Sequence, residues 1–151
     1  MKTKFMMIAL FVALSFTASA QQYRTAAGLF IDVGDGSTWV GPTIKHYFSA
    51  ENAIAGSVLF GNSWTVLSAE YSYNKPIAGA NGLNWHVGVG PQLGLGNGHT
   101  QLYIRPATGL EFKIPSAPLA LGFDWRPLWY VGDHSQFIAG RFGLSFKYTF
   151  N

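Results

Sequence analysis

The chain has 151 residues, ten Lys plus Arg against seven Asp plus Glu, and no cysteine. That fits one domain and excludes disulfide staples and a thiolate metal site. Only 11% of it is charged, against roughly 25% in an ordinary soluble domain, while 16% is aromatic, which is less charge than a water-facing surface needs.

In chain order, the first twenty residues read as an export signal. Lys2 and Lys4 make a short basic start, and Phe5 to Phe16 is an apolar run too short to span a bilayer. Ala18 and Ala20 form a small-x-small cleavage site before Gln21. The expected organisation is a signal peptide over residues 1–20 and one barrel domain over 21–151. Without Lys2 and Lys4 the ten basic residues fall to eight against seven acidic ones, a net +1, so the basic balance is a targeting feature. It offers no clustered face for nucleic acid. With no cysteine, a lipoprotein is excluded.

Eight alternating segments follow and are predicted as strands: Thr25–Val33, Val40–Phe48, Ala53–Gly61, Thr65–Asn74, Asn84–Leu95, Leu102–Lys113, Leu119–Tyr130 and Phe137–Phe150. Turn chemistry separates them: "GDGSTW", "SAEN", "NSW", "KPIAGANGL", "GNGHT", "IPSAP" and "VGDHSQ". Strands of about ten residues suit a tilted membrane crossing, and the mature chain has no apolar run long enough for a membrane helix. In lipid every backbone group must pair internally, which leaves a closed barrel.

Parity sets the sidedness. In the last strand Ile138, Phe142, Leu144, Phe146, Tyr148 and Phe150 share one face, and Arg141 and Lys147 the other. The seventh sets Leu119, Leu121, Phe123, Trp125 and Trp129 against Asp124 and Arg126. The sixth sets Leu102, Ile104, Leu110 and Phe112 against Arg105, Glu111 and Lys113. The fourth puts Glu70, and the second Lys45, opposite apolar neighbours. Strands one and three are apolar on both faces and show no clear phase. The charged parity is also rich in Gly, Ala and Ser, which fits the narrow interior of an eight-stranded barrel. The bulky parity would overfill that interior, so it faces lipid. Lys45, Glu70, Arg105, Glu111, Lys113, Asp124, Arg126, Arg141 and Lys147 are therefore expected to line the lumen as a salt-bridged plug.

Two aromatic girdles are expected. Tyr47, Phe48, Tyr71, Tyr73, Phe112, Tyr148 and Phe150 mark the end carrying the termini, and Trp39, Phe60, Trp64, Trp129 and Tyr130 the other. Pro42, Pro91, Pro106 and Pro127 fall inside strands and each removes a ladder donor. Pro42, Pro106 and Pro127 are placed near strand ends and Pro91 is not, and a bulge or irregular pairing is predicted at Pro91.

Catalytic motifs are weak. His46, His86, His99 and His134 are scattered, so no metal site or cofactor is expected. "DHSQ" offers Asp133, His134 and Ser135, but neighbours on an extended segment point apart and cannot form a relay. "GVGPQLGLGNG" lacks the register and following helix of a phosphate loop.

The stretch "LSFKYTF", with Leu144, Phe146, Tyr148 and Phe150 alternating toward the end, resembles the C-terminal insertion signal of bacterial outer-membrane barrels. With "TIKHYFSAENAI", "YSYNKP", "LNWHVGVGPQLG" and "GLEFKIPSAPLALGFDWRP", the mature chain resembles the small eight-stranded outer-membrane barrels of the Bacteroidota. The resemblance implies an all-β, antiparallel up-and-down transmembrane barrel in the outer membrane of a Gram-negative bacterium. It implies insertion by the barrel-assembly machinery, with both termini in the periplasm, and no catalytic residues. The expected role is structural or interactive, in contact with outer-membrane lipid and lipopolysaccharide, as a monomer. A narrow channel for ions or small solutes, a lipid-A-modifying acyl hydrolase and a secreted lipocalin-like barrel are the alternatives.

Overall fold

The computed structural model describes residues 23–132 and 134–150. The expected signal peptide, with Ala18, Ala20 and Gln21, lies outside the described residues, as does Asp133. Ten strands run in order: β1 (Thr25–Gly34), β2 (Ser37–Tyr47), β3 (Asn52–Gly61), β4 (Trp64–Pro76), β5 (Leu83–Gly96), β6 (His99–Lys113), β7 (Leu119–Trp125), β8 (Leu128–Tyr130), β9 (Gln136–Ile138) and β10 (Arg141–Phe150). β1 pairs with β2 on one side and β10 on the other, both antiparallel, so the sheet closes on itself. β7 and β8 keep a single register against β6, through Thr108↔Trp125 and Ile104↔Trp129, and form one crossing interrupted at Arg126–Pro127. β9 and β10 form another, interrupted at Ala139–Gly140. The result is a closed barrel of eight antiparallel, up-and-down crossings.

The strands are strongly staggered. Pairing carries Gln92 through Ser68, Ser57, Thr43, Gly28, Lys147, Ala120 and Lys113 to Gly82, ten residues before the start. Such a stagger tilts the strands against the barrel axis. At the end away from the termini, Asp35–Gly36, Asn62–Ser63 and Asn97–Gly98 each hold two successive positive φ angles. These are two-residue hairpin turns whose twist matches the strands, and they leave little chain outside the barrel.

Side chains are distributed inside out relative to a soluble protein. Phe123, Phe146 and Tyr148 point away from the barrel, Phe146 being 49% exposed. Arg141 beside them is 1% exposed, and Asp32, Arg105, Glu111 and Lys147 are buried. A soluble lipocalin-like barrel needs the opposite sidedness, so the fold removes that alternative.

Several expected girdle residues need correcting. Trp39 and Tyr47 are buried in the bore. Trp64 lies against Gly94 and Gly96, and Tyr130 packs on Tyr103 at 5.5 Å. The reason is parity: Trp39 and Tyr47 share that of Lys45, Trp64 that of Glu70, and Tyr130 that of Asp124. Phe48, Phe60, Tyr71, Phe112 and Trp129 do face outward, and Tyr73 packs on Trp85 at 6.0 Å.

Of the two irregularities in the wall, one falls at Pro91 as expected and the other does not. At Pro91 the pairing is irregular rather than bulged: the register holds from Ser68↔Gln92 to Tyr71↔Val89, but the two pairs between them are missing. The bulge is in the eighth crossing. Leu128 faces Ile138 and Trp125 faces Phe142, so the two residues between them on one side match three on the other. One extra residue flips the faces. Ile138, expected outside with Phe142, instead packs inward against the Phe30–Trp39–Leu59–Val66–Leu128 cluster, while Phe137 turns outward.

Candidate functional site

The bore is the site. Its polar side chains form three clusters, each tying distant strands together.

Nearest the termini, Glu111 on β6 takes Lys147 of β10 at 2.7 Å and Lys45 of β2 at 3.5 Å. Tyr23, just before β1, donates its hydroxyl to the same carboxylate at 2.5 Å. Lys45 also donates to Asn74 at 2.8 Å. Ala26, Ala53 and Ala120 leave room for Tyr23, whose ring meets Tyr47 edge-on at 5.3 Å. Burial, reinforced by the Glu111 charge, holds the Tyr23 phenol well above its ordinary pKa, so it stays a donor.

At mid-height Arg126 grips Asp124 with Nε at 2.6 Å and Nη2 at 3.0 Å. Nη2 also lies 3.0 Å from Glu70 of β4, and the guanidinium stacks 4.6 Å from the Phe30 ring centre. His86 Nε2 stands 3.4 Å from Asp124.

The third cluster surrounds Asp32 of β1. Arg141 donates Nε to it at 3.0 Å, and Arg105 is ion-paired to its other oxygen. Arg105 also donates to Gln92 at 2.9 Å, and Arg141 to the Gly34 carbonyl at 2.6 Å and Ser37 at 2.8 Å. The Arg141 guanidinium lies 4.0 Å from the Trp39 ring centre. Phe30, Trp39, Leu59, Val66 and Leu128, with Tyr103 and Ile138 against them, fill the neighbouring bore with apolar bulk.

Eight of the nine expected lumen residues are thus brought into ion pairs inside the bore: Lys45, Glu70, Arg105, Glu111, Asp124, Arg126, Arg141 and Lys147. Lys113 is not among them. Its ammonium donates to the Ile114 and Ala117 carbonyls, both at 2.8 Å, and closes the turn after β6. Asp32 is the residue that sequence reasoning missed, because β1 carries apolar side chains on both parities. The available signal was chemical: an unpaired carboxylate in a membrane strand belongs inside, whatever its neighbours suggest.

Between the first two clusters lies a chamber of about 40 Å³, lined by Thr43, Ser57, Ser68, Ser145, His86 and the charged side chains. A second hollow, an apolar groove of about 650 Å³, lies on the outer face. Ala27, Gly56, Ala69, Pro42 and Pro91 are small or ring-shaped there, between Ile44, Val58, Leu67 and Leu93. In the last loop, His134 is exposed and Ser135 accepts from Trp129 Nε1 at 3.0 Å. His46 sits 2.8 Å from Thr25 on a separate face. The histidines stay dispersed.

No family model and no curated protein matches the chain. Two solved structures share the fold. One is a transmembrane β-barrel from de novo design, 13% identical, TM-score 0.63, covering 87% of this chain and 99% of the other. The other is the N-terminal β-barrel domain of Pseudomonas aeruginosa OprF, 12% identical, TM-score 0.64, covering 84% of this chain and 100% of that domain. At these identities the likeness speaks to the fold of a transmembrane barrel.

Proposed function

We propose that this protein is an integral outer-membrane barrel with a structural or interaction role and no catalysis, its bore closed by its own side chains. The observation that carries this reading is the cross-braced interior: Asp32, Arg126 and Glu111 each bind two or more partners, most from other strands, with an apolar section beside them. An eight-stranded barrel leaves just enough interior for side chains to fill. The two-residue turns away from the termini leave little surface for an adhesin or receptor.

Outer-membrane lipid and lipopolysaccharide surround the apolar face in this reading. The barrel-assembly machinery inserts the chain through its closing strand, where Leu144, Phe146, Tyr148 and Phe150 all point outward. Its likeness to the OprF barrel domain supports the outer-membrane assignment.

The test has two parts. Unheated protein in detergent should migrate differently from its boiled form, and cell fractionation should recover it with the outer membrane. In planar bilayers it should show no steady unitary current. Regular currents abolished by Arg126→Ala or Glu111→Gln would replace the closed bore with the narrow-channel reading.

A further inference from the structure

We propose that the lower bore is a hydrated chamber entered only from the end carrying the termini, and that Tyr23 is its removable stopper. The proposal rests on the barrel reading above but concerns an element outside the barrel wall. Tyr23 precedes β1, yet its side chain is 3% exposed and reaches Glu111, 88 positions along the chain. Its neighbours at that mouth are small: Ala26, Ala53 and Ala120. Small side chains there leave space that the phenol fills beside the ring of Tyr47 from β2.

Behind the phenol and the Glu111 carboxylate it holds, with its Lys45 and Lys147 partners, lies the chamber, and its contents are polar. Hydroxyls from Ser57, Ser68 and Ser145 face it alongside Lys147 and Glu111. Its volume of about 40 Å³ is room for about three waters, and these walls offer each water several partners. Toward the other end the way is shut by strand residues. Arg126 clasps Asp124 and Glu70, and beyond it come the Asp32 cluster and the Trp39–Leu59–Leu128 section. Those groups sit on strands, except Arg126 at the break between β7 and β8, whose N–H donates to the Arg141 carbonyl at 3.1 Å. Tyr23 is held by its hydroxyl bond to Glu111 and its edge contact with Tyr47. Local opening draws on the least anchored element, and at this mouth that is Tyr23.

The chain's lack of cysteine permits a direct test. Ser145→Cys places a thiol on the chamber wall, and Val66→Cys places one in the apolar section beyond the clusters. Each full-length variant is refolded into lipid vesicles, and its folding is checked by heat-dependent gel mobility. The rate of modification by the small reagent 2-aminoethyl methanethiosulfonate is then measured. With Tyr23 in place both thiols should react slowly. Tyr23→Ala should accelerate the Ser145→Cys thiol by about tenfold or more, the scale of losing one hydrogen bond to a charged group, and leave Val66→Cys unchanged. Equal Ser145→Cys rates with and without Tyr23 would overturn the stopper. Acceleration at both thiols would also overturn it, because the whole barrel would then have loosened. A folded variant that passes bilayer current would count against the closed-bore reading instead, and so separates the two failures.

Discussion

Pro106 and Pro127 stand opposite each other across the wall between the sixth and seventh crossings. The pairs Ile104↔Trp129 and Thr108↔Trp125 fix that register, and pairing lapses between them. Neither proline has an N–H, so two facing strands reach a level where neither can donate. Arg105 fills the gap from inside. Its Nε donates to the Pro127 carbonyl at 3.4 Å and its Nη2 to the Arg126 carbonyl, while Nη1 holds Asp32. One guanidinium therefore satisfies backbone acceptors that the prolines leave bare and anchors the buried carboxylate of β1. A barrel with no free edge tolerates paired prolines because a side chain replaces the missing ladder.

Replacing Arg105 by Met should remove both functions while keeping the bulk. Asp32 then keeps Arg141 alone, and two carbonyls lose a donor. Losing one member of a buried ion pair costs about 3–5 kcal/mol. Chemical unfolding in detergent, followed by tryptophan fluorescence, should show a destabilisation of that order. Arg105→Lys keeps the charge without the planar fork, and should recover only part of it. Unfolding of Arg105→Met at the parent midpoint would refute the bracing role.

A second brace is testable by coupling. Lys147 and Glu111 lie 2.7 Å apart, both buried, and join β10 to β6. Single variants Lys147→Met and Glu111→Gln, and the double, form a thermodynamic cycle. The interaction should be favourable by about 1–3 kcal/mol, because each single change strands the other charge. Glu111→Gln should be the costlier single change, since it leaves both Lys45 and Lys147 without a carboxylate. An interaction near zero would mean that the cluster merely fills space.

Much of this architecture was readable from residue order, and the misses have identifiable physics. Alternation fixes faces wherever one parity is charged, so β6, β7 and β10 and most of their ion-pairing residues could be placed. It fails in two ways. Where both parities are apolar, as around Asp32 in "LFIDV", alternation does not set the phase; the carboxylate's own chemistry does, and pairing of Asp32 with Trp39 and Gly143 fixes it. Where the strand contains an unseen extra residue, as at Ala139–Gly140, the phase on its far side inverts. Ile138 and Phe137 exchanged faces for that reason. The girdle errors are different. Trp39, Tyr47, Trp64 and Tyr130 lie near strand ends, which suggests a girdle, but their parity sets them beside the lumen charges. Tyr23 could not be read at all, because it lies outside every alternating segment.

The bulge yields its own prediction. Deleting Ala139 would restore a continuous register between the seventh and eighth crossings. Phe137 would then turn into the bore and Ile138 out of it. The Leu128–Trp39 cluster has no space for the added ring, and overpacking of this kind costs about 1–3 kcal/mol. Unfolding midpoints should fall accordingly. Gly140→Ala, which keeps the residue count and meets open space, should stay near the parent value. If the deletion were neutral and the substitution harmful, backbone freedom rather than register would be the reason for the bulge.

Depth should govern the outer face. Phe146 lies at the level of Leu29 and Pro42, midway along the strands, and points outward. Phe150 also points outward but pairs with Thr25 at the strand end. An arginine at a bilayer midplane costs about 2–4 kcal/mol, falling to about 0–1 near the interface. Phe146→Arg should therefore destabilise refolded protein in lipid vesicles by several times the effect of Phe150→Arg, beyond the ring area that both lose. In a detergent micelle, where water reaches the mid-barrel more easily, the gap should narrow. Equal costs at the two positions in vesicles would mean that bilayer depth does not act on this face, and the assignment of the aromatic parity to lipid would fail with it.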